Sequence, residues 1–262
     1  MLYLIGSGIN GYGSMPYEGI LACKKSEQIY LERYTNIISD SDLAMLEKLI
    51  GKKIIEISRQ ELETGFEKNI MPKAGAKDVS LIIVGDPLSA TTHIELLKEC
   101  KEKNINWKVI HASSIYSSLC ETGLFVYKFG KSASIPYPEK NYAPTSFFDI
   151  IETNWKNNAH SIVFLDIKKD QERYMSVNEG LNILLKISKD RNSFLNEETE
   201  IIGVSRLGYD DQIIKFGKIK ELINFDFKGR PQILIIPKLS DIEIEYVKFL
   251  YSKWLKINNL FI

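Results

Sequence analysis

The sequence lacks the features of a secreted or membrane-bound protein. Its 262 residues include only 3 cysteines, Cys23, Cys100 and Cys120, and no C-x-x-C pair. An odd number of widely spaced cysteines is typical of buried thiols in a reducing compartment. The chain starts without a basic segment, and no apolar run approaches the roughly 20 residues that a membrane-spanning helix needs. We therefore expect a soluble, cytoplasmic protein with no membrane partner.

Excess charge and metal-ligand clusters are also missing. The 34 Lys and Arg residues balance 34 Asp and Glu residues, and no stretch has the run of about five like charges that is typical of a nucleic-acid arm. The 3 histidines, His93, His111 and His160, are scattered, and no cysteine or carboxylate stands at ligand spacing from them. The sequence therefore predicts no direct nucleic-acid partner and no metal site.

Short β-branched runs alternate with amphipathic helical patterns in the first half of the chain. The predicted strands are residues 2–5, 28–31, 53–57, 79–84 and 107–110, and the predicted helices are residues 16–25, 42–50 and 91–103. This alternation is typical of a mostly parallel sheet covered by helices on both faces. We expect an α/β domain over residues 1–130.

The second half has longer helices and strands that follow one another closely. Its predicted helices are residues 145–157, 176–188 and 241–256, and its predicted strands are residues 161–165, 201–206, 212–216 and 232–236. The adjacent strands at 201–206 and 212–216 favour antiparallel pairing, and Ser176 with Glu179 forms a capping-box pattern at a helix start. A turn-rich segment with 3 prolines, residues 129–144, predicts the junction to a mixed α+β domain over residues 131–262.

The segment IGSGINGYG near the start has the dinucleotide-binding spacing G-x-G-x-x-G at Gly6, Gly8 and Gly11. In that fold the third glycine lies at the helix entrance, close to the pyrophosphate. Here Gly11 comes too early, because we expect the helix to begin only at Met15 or Pro16. The spacing therefore indicates a close approach of the backbone either to a ligand or to a neighbouring strand.

Glu32 keeps an NAD-dependent oxidoreductase open as an alternative. It follows the second predicted strand, where dinucleotide folds carry the acid that binds ribose; a surface salt bridge is the other interpretation. Ser14 is a good N-cap residue, and we predict that it caps the first helix.

Two further loops follow strands that end at the carboxyl edge of the predicted sheet, where open α/β sheets bind their ligands. In GDPLSATTH, a Gly-Asp-Pro turn precedes Ser89, and Thr91 or Thr92 can cap the next helix. Asp86 either braces this turn or contacts a ligand. The second loop, HASSIYSS, starts at His111 and is rich in small hydroxyl residues. Together the loops predict a nearly uncharged cleft.

Several segments of the chain resemble the diphthine synthase family. They are, in order, MLYLIG, GDPLSATTH, VIHASSIYSS, GLFVYKFGK, RYMSVNEG, GVSRLGYDDQ and LIIP. The resemblance covers nearly the whole chain, and its GDP-x-x-ATTH, YKFG and R-x-G-x-DDQ patterns are specific to that family within the tetrapyrrole-methylase-like methyltransferases. It implies a homodimer with the two-domain tetrapyrrole-methylase-like fold, with S-adenosyl-L-methionine (SAM) in the interdomain cleft and no metal.

The resemblance also implies an activity. The family methylates a histidine of translation elongation factor 2 that carries a 3-amino-3-carboxypropyl group, in diphthamide biosynthesis. Repeated transfer to the amino nitrogen gives diphthine and S-adenosyl-L-homocysteine. Relatives of eukaryotic type also form a methyl ester, and the tract at residues 173–178 resembles theirs, so both products remain open.

Some positions match the SAM contacts of the family. They are Ile9, Asp86, Ser89, Ser114, Ile115, Leu165, Leu207 and Gln232. The chain departs from the family pattern in residues 10–16, and at Gln232, where relatives often have histidine. No catalytic side chain is implied, because positioning can supply much of the rate of methyl transfer. Asp86 or bulk water could accept the proton of the amine, and His93 either packs at a helix start or contacts substrate.

Other functions remain as alternatives to a protein methyltransferase. They are a tetrapyrrole methylase acting on a small molecule, an RNA ribose methylase, the NAD-dependent oxidoreductase, and a SAM-binding protein that acts on elongation factor 2 without catalysis. Zero net charge weighs against the RNA enzyme. The GDP-x-x-ATTH and YKFG segments weigh against both the RNA and the small-molecule enzymes.

Overall fold

A computed structural model of the chain describes residues 1–33, 38–139, 143–168 and 171–257. The chain divides into two compact units, Met1–Ser118 and Leu119–Ile262. The domain boundary between residues 130 and 131 stays a prediction, because compactness does not test whether either part folds by itself. Among the described residues, no helix is both long enough and apolar enough to cross a bilayer.

The first unit is built on a parallel sheet. Its strands are β1 (Leu2–Gly6), β2 (Gln28–Glu32), β3 (Ile55–Ile57), β4 (Val79–Ile83) and β5 (Trp107–Ile110). Their order is β3-β2-β4-β1-β5, and every pairing in this sheet is parallel. The predicted mostly parallel N-terminal sheet is confirmed.

Helices cover both faces of this sheet. They are α1 (Tyr17–Lys25), α2 (Asp40–Ile50), α3 (Arg59–Glu63), α4 (Phe66–Asn69), α5 (Met71–Ala76), α6 (Ile94–Glu102) and α7 (Ile115–Ser118). Successive strand residues point to opposite faces: Leu81 of β4 is buried in one apolar cluster and Ile82 in another. The unit therefore has a core on each side of its sheet.

The predicted start of α6 is wrong. We expected a helix from residue 91 with a threonine cap, whereas α6 begins at Ile94 and its N-cap residue is His93, which makes no side-chain cap hydrogen bond. Ala90, directly before the predicted start, has a φ of 59°, a left-handed conformation typical of turns. Thr91 instead uses Oγ1 to accept a hydrogen bond from the His93 N–H at 3.3 Å.

The second unit contains a mixed sheet. Its strands are β6 (Ala133–Ile135), β7 (Ser161–Leu165), β8 (Ile167–Lys168), β9 (Arg173–Tyr174), β10 (Glu200–Ser205), β11 (Ile213–Lys218) and β12 (Gln232–Ile236). The order in the main sheet is β11-β10-β12-β7-β6, while β8 and β9 pair separately. The predicted antiparallel pairing of β10 with β11 is confirmed, and β6 pairs with β7 in parallel.

Helices pack on this sheet around a core of aromatic and branched side chains. They are α8 (Ser146–Lys156), α9 (Val177–Arg191), α10 (Ile219–Leu222) and α11 (Asp241–Ile257). Phe148 of α8, Leu181 of α9 and Leu234 of β12 are fully buried in this core. The predicted capping box of α9, formed by Ser176 and Glu179, is confirmed.

Candidate functional site

Three loops of the first unit come together at one edge of its sheet. They are the first loop (residues 7–16), the second loop (residues 84–93) and the third loop (residues 111–114). They follow β1, β4 and β5, which are neighbours in the order β4-β1-β5. The carboxyl ends of parallel strands share one edge, where α/β sheets bind ligands.

The glycines of the first loop allow contact with the second loop. The Gly8 N–H donates to the Gly85 carbonyl at 3.1 Å, and the Gly85 N–H donates to the Gly8 carbonyl at 2.9 Å. A Cβ on Gly6 would lie 2.6 Å from the Gly85 carbonyl oxygen and 2.8 Å from the Ala112 Cβ. Of the two interpretations of these glycines, close approach of neighbouring backbone explains Gly6 and Gly8.

Ser14 braces the first loop and does not cap α1. Its Oγ accepts from the Asn10 N–H at 2.8 Å and donates to the Ser7 carbonyl at 3.0 Å. The N-cap residue of α1 is Pro16, so the predicted Ser14 cap is wrong. The segment that departs from the family pattern, residues 10–16, is thus held in place by the hydrogen bonds of Ser14.

The geometry of the first loop does not fit a dinucleotide. A short 3₁₀ turn, Gly11–Ser14, lies within the loop, and α1 begins only at Tyr17. A Cβ on Gly11 would lie 2.6 Å from the Asp42 carboxyl group, so Gly11 packs against α2 and does not open a helix toward a pyrophosphate. The Glu32 side chain is fully buried, so it does not lie on the surface, where the salt-bridge interpretation placed it.

Asp86 joins the second loop to the third. Its Oδ1 accepts from the Leu88 N–H at 3.0 Å and from the Ser89 hydroxyl at 3.1 Å. Its Oδ2 lies 2.8 Å from His111 Nδ1 and accepts from the Ala112 N–H at 3.2 Å. Asp86 therefore braces its own turn and also positions the neighbouring loop.

These hydrogen bonds keep Asp86 ionised. Burial raises the pKa of its carboxyl, but the hydrogen bonds from Leu88, His111 and Ala112 lower it more, so the pKa lies below its ordinary value. An ionised carboxylate only accepts hydrogen bonds, so His111 Nδ1 must be the donor. In the neutral ring, Nε2 is then the nitrogen that carries the lone pair. Asp86 is thereby occupied as an acceptor, which does not favour it as the base.

The remaining contacts of these loops are uncharged. The Ile9 N–H donates to the Ser113 hydroxyl at 3.3 Å, and the Ser114 N–H donates to the Ser117 hydroxyl at 2.9 Å. Ser114 is buried, Ile9 and Ile115 are half-buried, and the three loops contain no Lys or Arg. Apolar side chains with a few polar groups are typical of sites for small organic ligands. The lining fits the adenosine and sulfonium of SAM better than a polyanion.

The other predicted SAM contacts lie in the second unit. Leu165, at the end of β7, packs against α9, where a Cβ on Gly180 would lie 2.7 Å from its Cδ2; Leu207 is buried after β10. Gln232 Oε1 accepts from the Val177 N–H at 2.9 Å, and Nε2 donates to the Gly229 carbonyl at 2.9 Å. The Gln232 side chain therefore holds the start of α9, and its contact with SAM stays a prediction.

His93 is packed at the start of α6, which was one of its two interpretations; the other was contact with the substrate. Its side chain is buried, and Nδ1 lies 3.3 Å from the Pro87 carbonyl. Among the described residues, no group of three or more His, Cys, Asp and Glu side chains could hold a metal ion.

The YKFG segment belongs to a buried polar cluster that the sequence did not indicate. The fully buried Glu243 of α11 accepts from the Phe125 N–H at 3.0 Å and lies 2.8 Å from His160 Nε2. It also pairs with Lys128 Nζ and accepts from the Ser240 N–H at 2.9 Å. No motif pointed to Glu243, because a single acid in an amphipathic helix carries no spacing signal.

Proton positions in this cluster follow from its partners. The Lys238 N–H donates to His160 Nδ1 at 2.9 Å, so the proton of the neutral ring is on Nε2, facing Glu243. Burial lowers the pKa of His160 despite the attraction of Glu243. Burial raises the pKa of Glu243, but Lys128 and the N–H donors outweigh it and lower the pKa to about 2. The cluster is structural.

Comparison with known proteins shows similarity over nearly the whole chain. The family model for tetrapyrrole (corrin/porphyrin) methylases matches residues 1–223. A diphthine synthase from Methanococcus maripaludis is 39% identical over 255 residues, 96% of this chain and 99% of the relative. One from Methanocaldococcus jannaschii is 38% identical over 95% of this chain and 98% of its own length. A crystal structure from Entamoeba histolytica, provisionally described as a diphthine synthase, has a TM-score of 0.84 at 34% identity and covers 95% of this chain and 97% of its own.

Proposed function

Since the chain belongs to the tetrapyrrole methylase family, and within it to the diphthine synthases, we propose that it is the SAM-dependent methyltransferase that forms diphthine. Its acceptor is the 3-amino-3-carboxypropyl group on a histidine of translation elongation factor 2. Methylation of the amino nitrogen gives the trimethylammonium of diphthine, with S-adenosyl-L-homocysteine as the other product. Methylation of the carboxylate would give the methyl ester instead.

The observation that carries this proposal is the extent of the match. The relative from Methanococcus maripaludis is 39% identical with 99% of its length aligned, so both units of this chain have counterparts in it. A match confined to one unit would support the use of SAM but would not support the identity of the methyl acceptor. A match across both supports the same reaction class and the same acceptor.

We propose that SAM contacts backbone and side-chain groups of the three loops. The proposed contacts there are Ile9, Asp86, Ser89, Ser114 and Ile115. From the second unit we propose Leu165, Leu207 and Gln232. When bound, SAM supplies a methyl group on a sulfonium, and no metal is needed. The loops hold the reacting groups in line and exclude water, which can contribute about 7–11 kcal/mol at best in well-oriented reactions.

The proposed assembly is a homodimer that acts in the cytoplasm on elongation factor 2. The three loops contain no Lys or Arg, which does not favour phosphate binding. We therefore propose no direct nucleic-acid partner, and we propose no membrane partner.

Incubation of the purified protein with SAM and elongation factor 2 from a diphthine-deficient strain tests the proposal. Mass spectrometry of the modified peptide should show a trimethyl or a methyl-ester product, while a factor without the acceptor histidine should gain no methyl group. Binding of SAM without methyl gain would contradict the enzyme and favour the non-catalytic alternative. Calorimetry that detects NAD binding and no SAM binding would contradict the family assignment of the site.

A further inference from the structure

We propose that His111 is the general base that removes the proton from the acceptor amine before each N-methylation. The inference rests on the proposed function, because it assigns a role within that reaction. His111 is not among the SAM contacts that the family resemblance implies.

The first observation is that one ring nitrogen of His111 is anchored and the other is accessible. Nδ1 lies 2.8 Å from Asp86 Oδ2, and the side chains of His111 and Asp86 are 66% and 7% exposed, respectively. The Asp86 carboxylate fixes the ring and its tautomer, which leaves the Nε2 lone pair on the exposed edge. A buried carboxylate that orients a histidine for proton abstraction is a recurrent arrangement in enzymes.

The second observation is the position of His111. It directly follows β5 (Trp107–Ile110) and precedes Ser113, whose hydroxyl accepts from the Ile9 N–H of the first loop. The ring therefore lies on the sheet edge where the three loops meet. Asp86 of the second loop is the ionisable group that faces it, and residues 7–11 of the first loop and 112–114 of its own loop carry no ionisable side chain.

The reaction requires a proton acceptor, and a side chain held at the site removes the proton more efficiently than bulk water. An alkyl amine is protonated at neutral pH and then has no electron pair for attack. As its N–H bond breaks, the proton goes to His111 Nε2 and the pair stays on nitrogen. That electron pair forms the N–CH₃ bond while the C–S bond breaks. The electrons of the C–S bond stay on sulfur. The imidazolium then releases the proton to water, so each N-methylation needs one proton transfer and esterification of a carboxylate needs none.

Other ionisable groups of the loops are less suited to this step. Both oxygens of Asp86 already accept hydrogen bonds. His93 is buried with Nδ1 near the Pro87 carbonyl. His111 differs from both, because its side chain is 66% exposed and Asp86 holds only one of its ring nitrogens.

His111→Gln and His111→Ala test the role in the methylation assay. We expect kcat at neutral pH to fall about 100-fold or more, the usual contribution of a general base, with little change in SAM affinity by calorimetry. The loss should shrink at alkaline pH, where the free amine forms without help, and imidazole should partly restore His111→Ala. Glu95→Gln, an exposed substitution on α6, is the matched control and should retain full activity.

The anchored tautomer is tested without turnover. Long-range ¹⁵N–¹H NMR of the imidazole rings should show the proton of neutral His111 on Nδ1 and that of His160 on Nε2, so each histidine is a control for the other. Wild-type rates in His111→Gln at neutral pH, or an Nε2–H tautomer for His111, would overturn the inference and leave the proposed function intact. If the wild-type protein itself transfers no methyl group, the proposed function fails, and the inference fails with it.

Discussion

Two histidines of this protein each lie 2.8 Å from a carboxylate, and burial separates their roles. His160 and Glu243 are both fully buried, and the other nitrogen of His160 accepts from the Lys238 N–H. His111 shares the same kind of contact with Asp86, but its other edge is exposed. A histidine paired with a carboxylate therefore stabilises a core in one place and presents a reactive nitrogen in the other.

Gly8 makes a prediction at the residue scale. It has a φ of +76°, and a Cβ there would lie 2.3 Å from Ser14 Oγ. Gly8→Ala should lower the free energy of unfolding by at least about 2 kcal/mol, since backbone strain adds to the displaced hydrogen bonds of Ser14. Urea unfolding measures this loss, and SAM affinity should fall with it.

Gly51 provides the control for that substitution. It has a φ of +78°, and its Cβ would meet nothing within 4 Å. Gly51→Ala should therefore report backbone strain alone, about 1 kcal/mol, with no effect on SAM binding. Equal losses for the two variants would mean that the contact with Ser14 contributes nothing.

At the scale of elements, the helices and strands that carry a local sequence signal were predicted well. The strand at residues 2–5 is found as β1 (Leu2–Gly6), and the Ser176 capping box starts α9 as predicted. The short helices α3, α4 and α5 were not predicted, because their few turns are too short for an apolar period to show. The start of α6 was wrong because the turn conformation of residues 91–93 leaves no trace in a hydrophobic pattern.

The capping box of α9 leads to a prediction at this scale. Ser176 Oγ accepts from the Glu179 N–H at 3.1 Å, and the Glu179 carboxylate accepts from the Ser176 N–H at 2.8 Å. Ser176→Ala should lower the free energy of unfolding by about 1 kcal/mol, measured by urea titration. Ser176→Asp, which keeps an acceptor at the cap, should lose much less; a loss as large as that of alanine would contradict the capping role.

At the scale of the whole molecule, buried charge makes stability depend on pH. The pKa of Glu243 is lowered from 4.5 to about 2 in the folded protein. Its stabilisation is therefore complete above the unfolded value and is lost as the pH falls toward 2. The pKa of His160 is also lowered, from 6.5, so the unfolded chain takes up that proton first. Both groups make the protein less stable as the pH falls.

Glu243→Gln should weaken this pH dependence, because the variant has no carboxyl group to titrate at this position. Removing the buried charge leaves Lys128 without its carboxylate, and the free energy of unfolding at pH 7 should fall by about 3–5 kcal/mol. Glu198 is the matched control, because its pKa is also lowered to about 2, but its side chain is exposed and pairs with Lys218 and Lys220 on the surface. Glu198→Gln should change stability little, and urea titrations over the acid range should separate the two variants. Similar losses would mean that burial does not set the strength of the Glu243 cluster.

The sequence predicted the architecture of both units more completely than the contacts within the site. Periodicity identified a parallel and a mixed sheet, and glycine spacing and runs of small residues after three predicted strands identified the three loops. The hydrogen bond between Asp86 and His111 spans residues that lie far apart in the sequence, and neither periodicity nor spacing encodes such a contact. The G-x-G-x-x-G spacing was useful because the rest of the loop does not fit a dinucleotide. Gly11 comes several residues before α1, so it does not lie at the helix start that binds a pyrophosphate.

The paired amides of Gly8 and Gly85 link the movements of the first two loops. Each glycine donates to the carbonyl of the other, so the two hydrogen bonds close one ring. Neither amide can exchange its hydrogen with solvent until that ring opens, and opening frees both at once. The exchange rates of these two amides should therefore fall together when a ligand binds at the carboxyl edge, as a single reporter of loop closure.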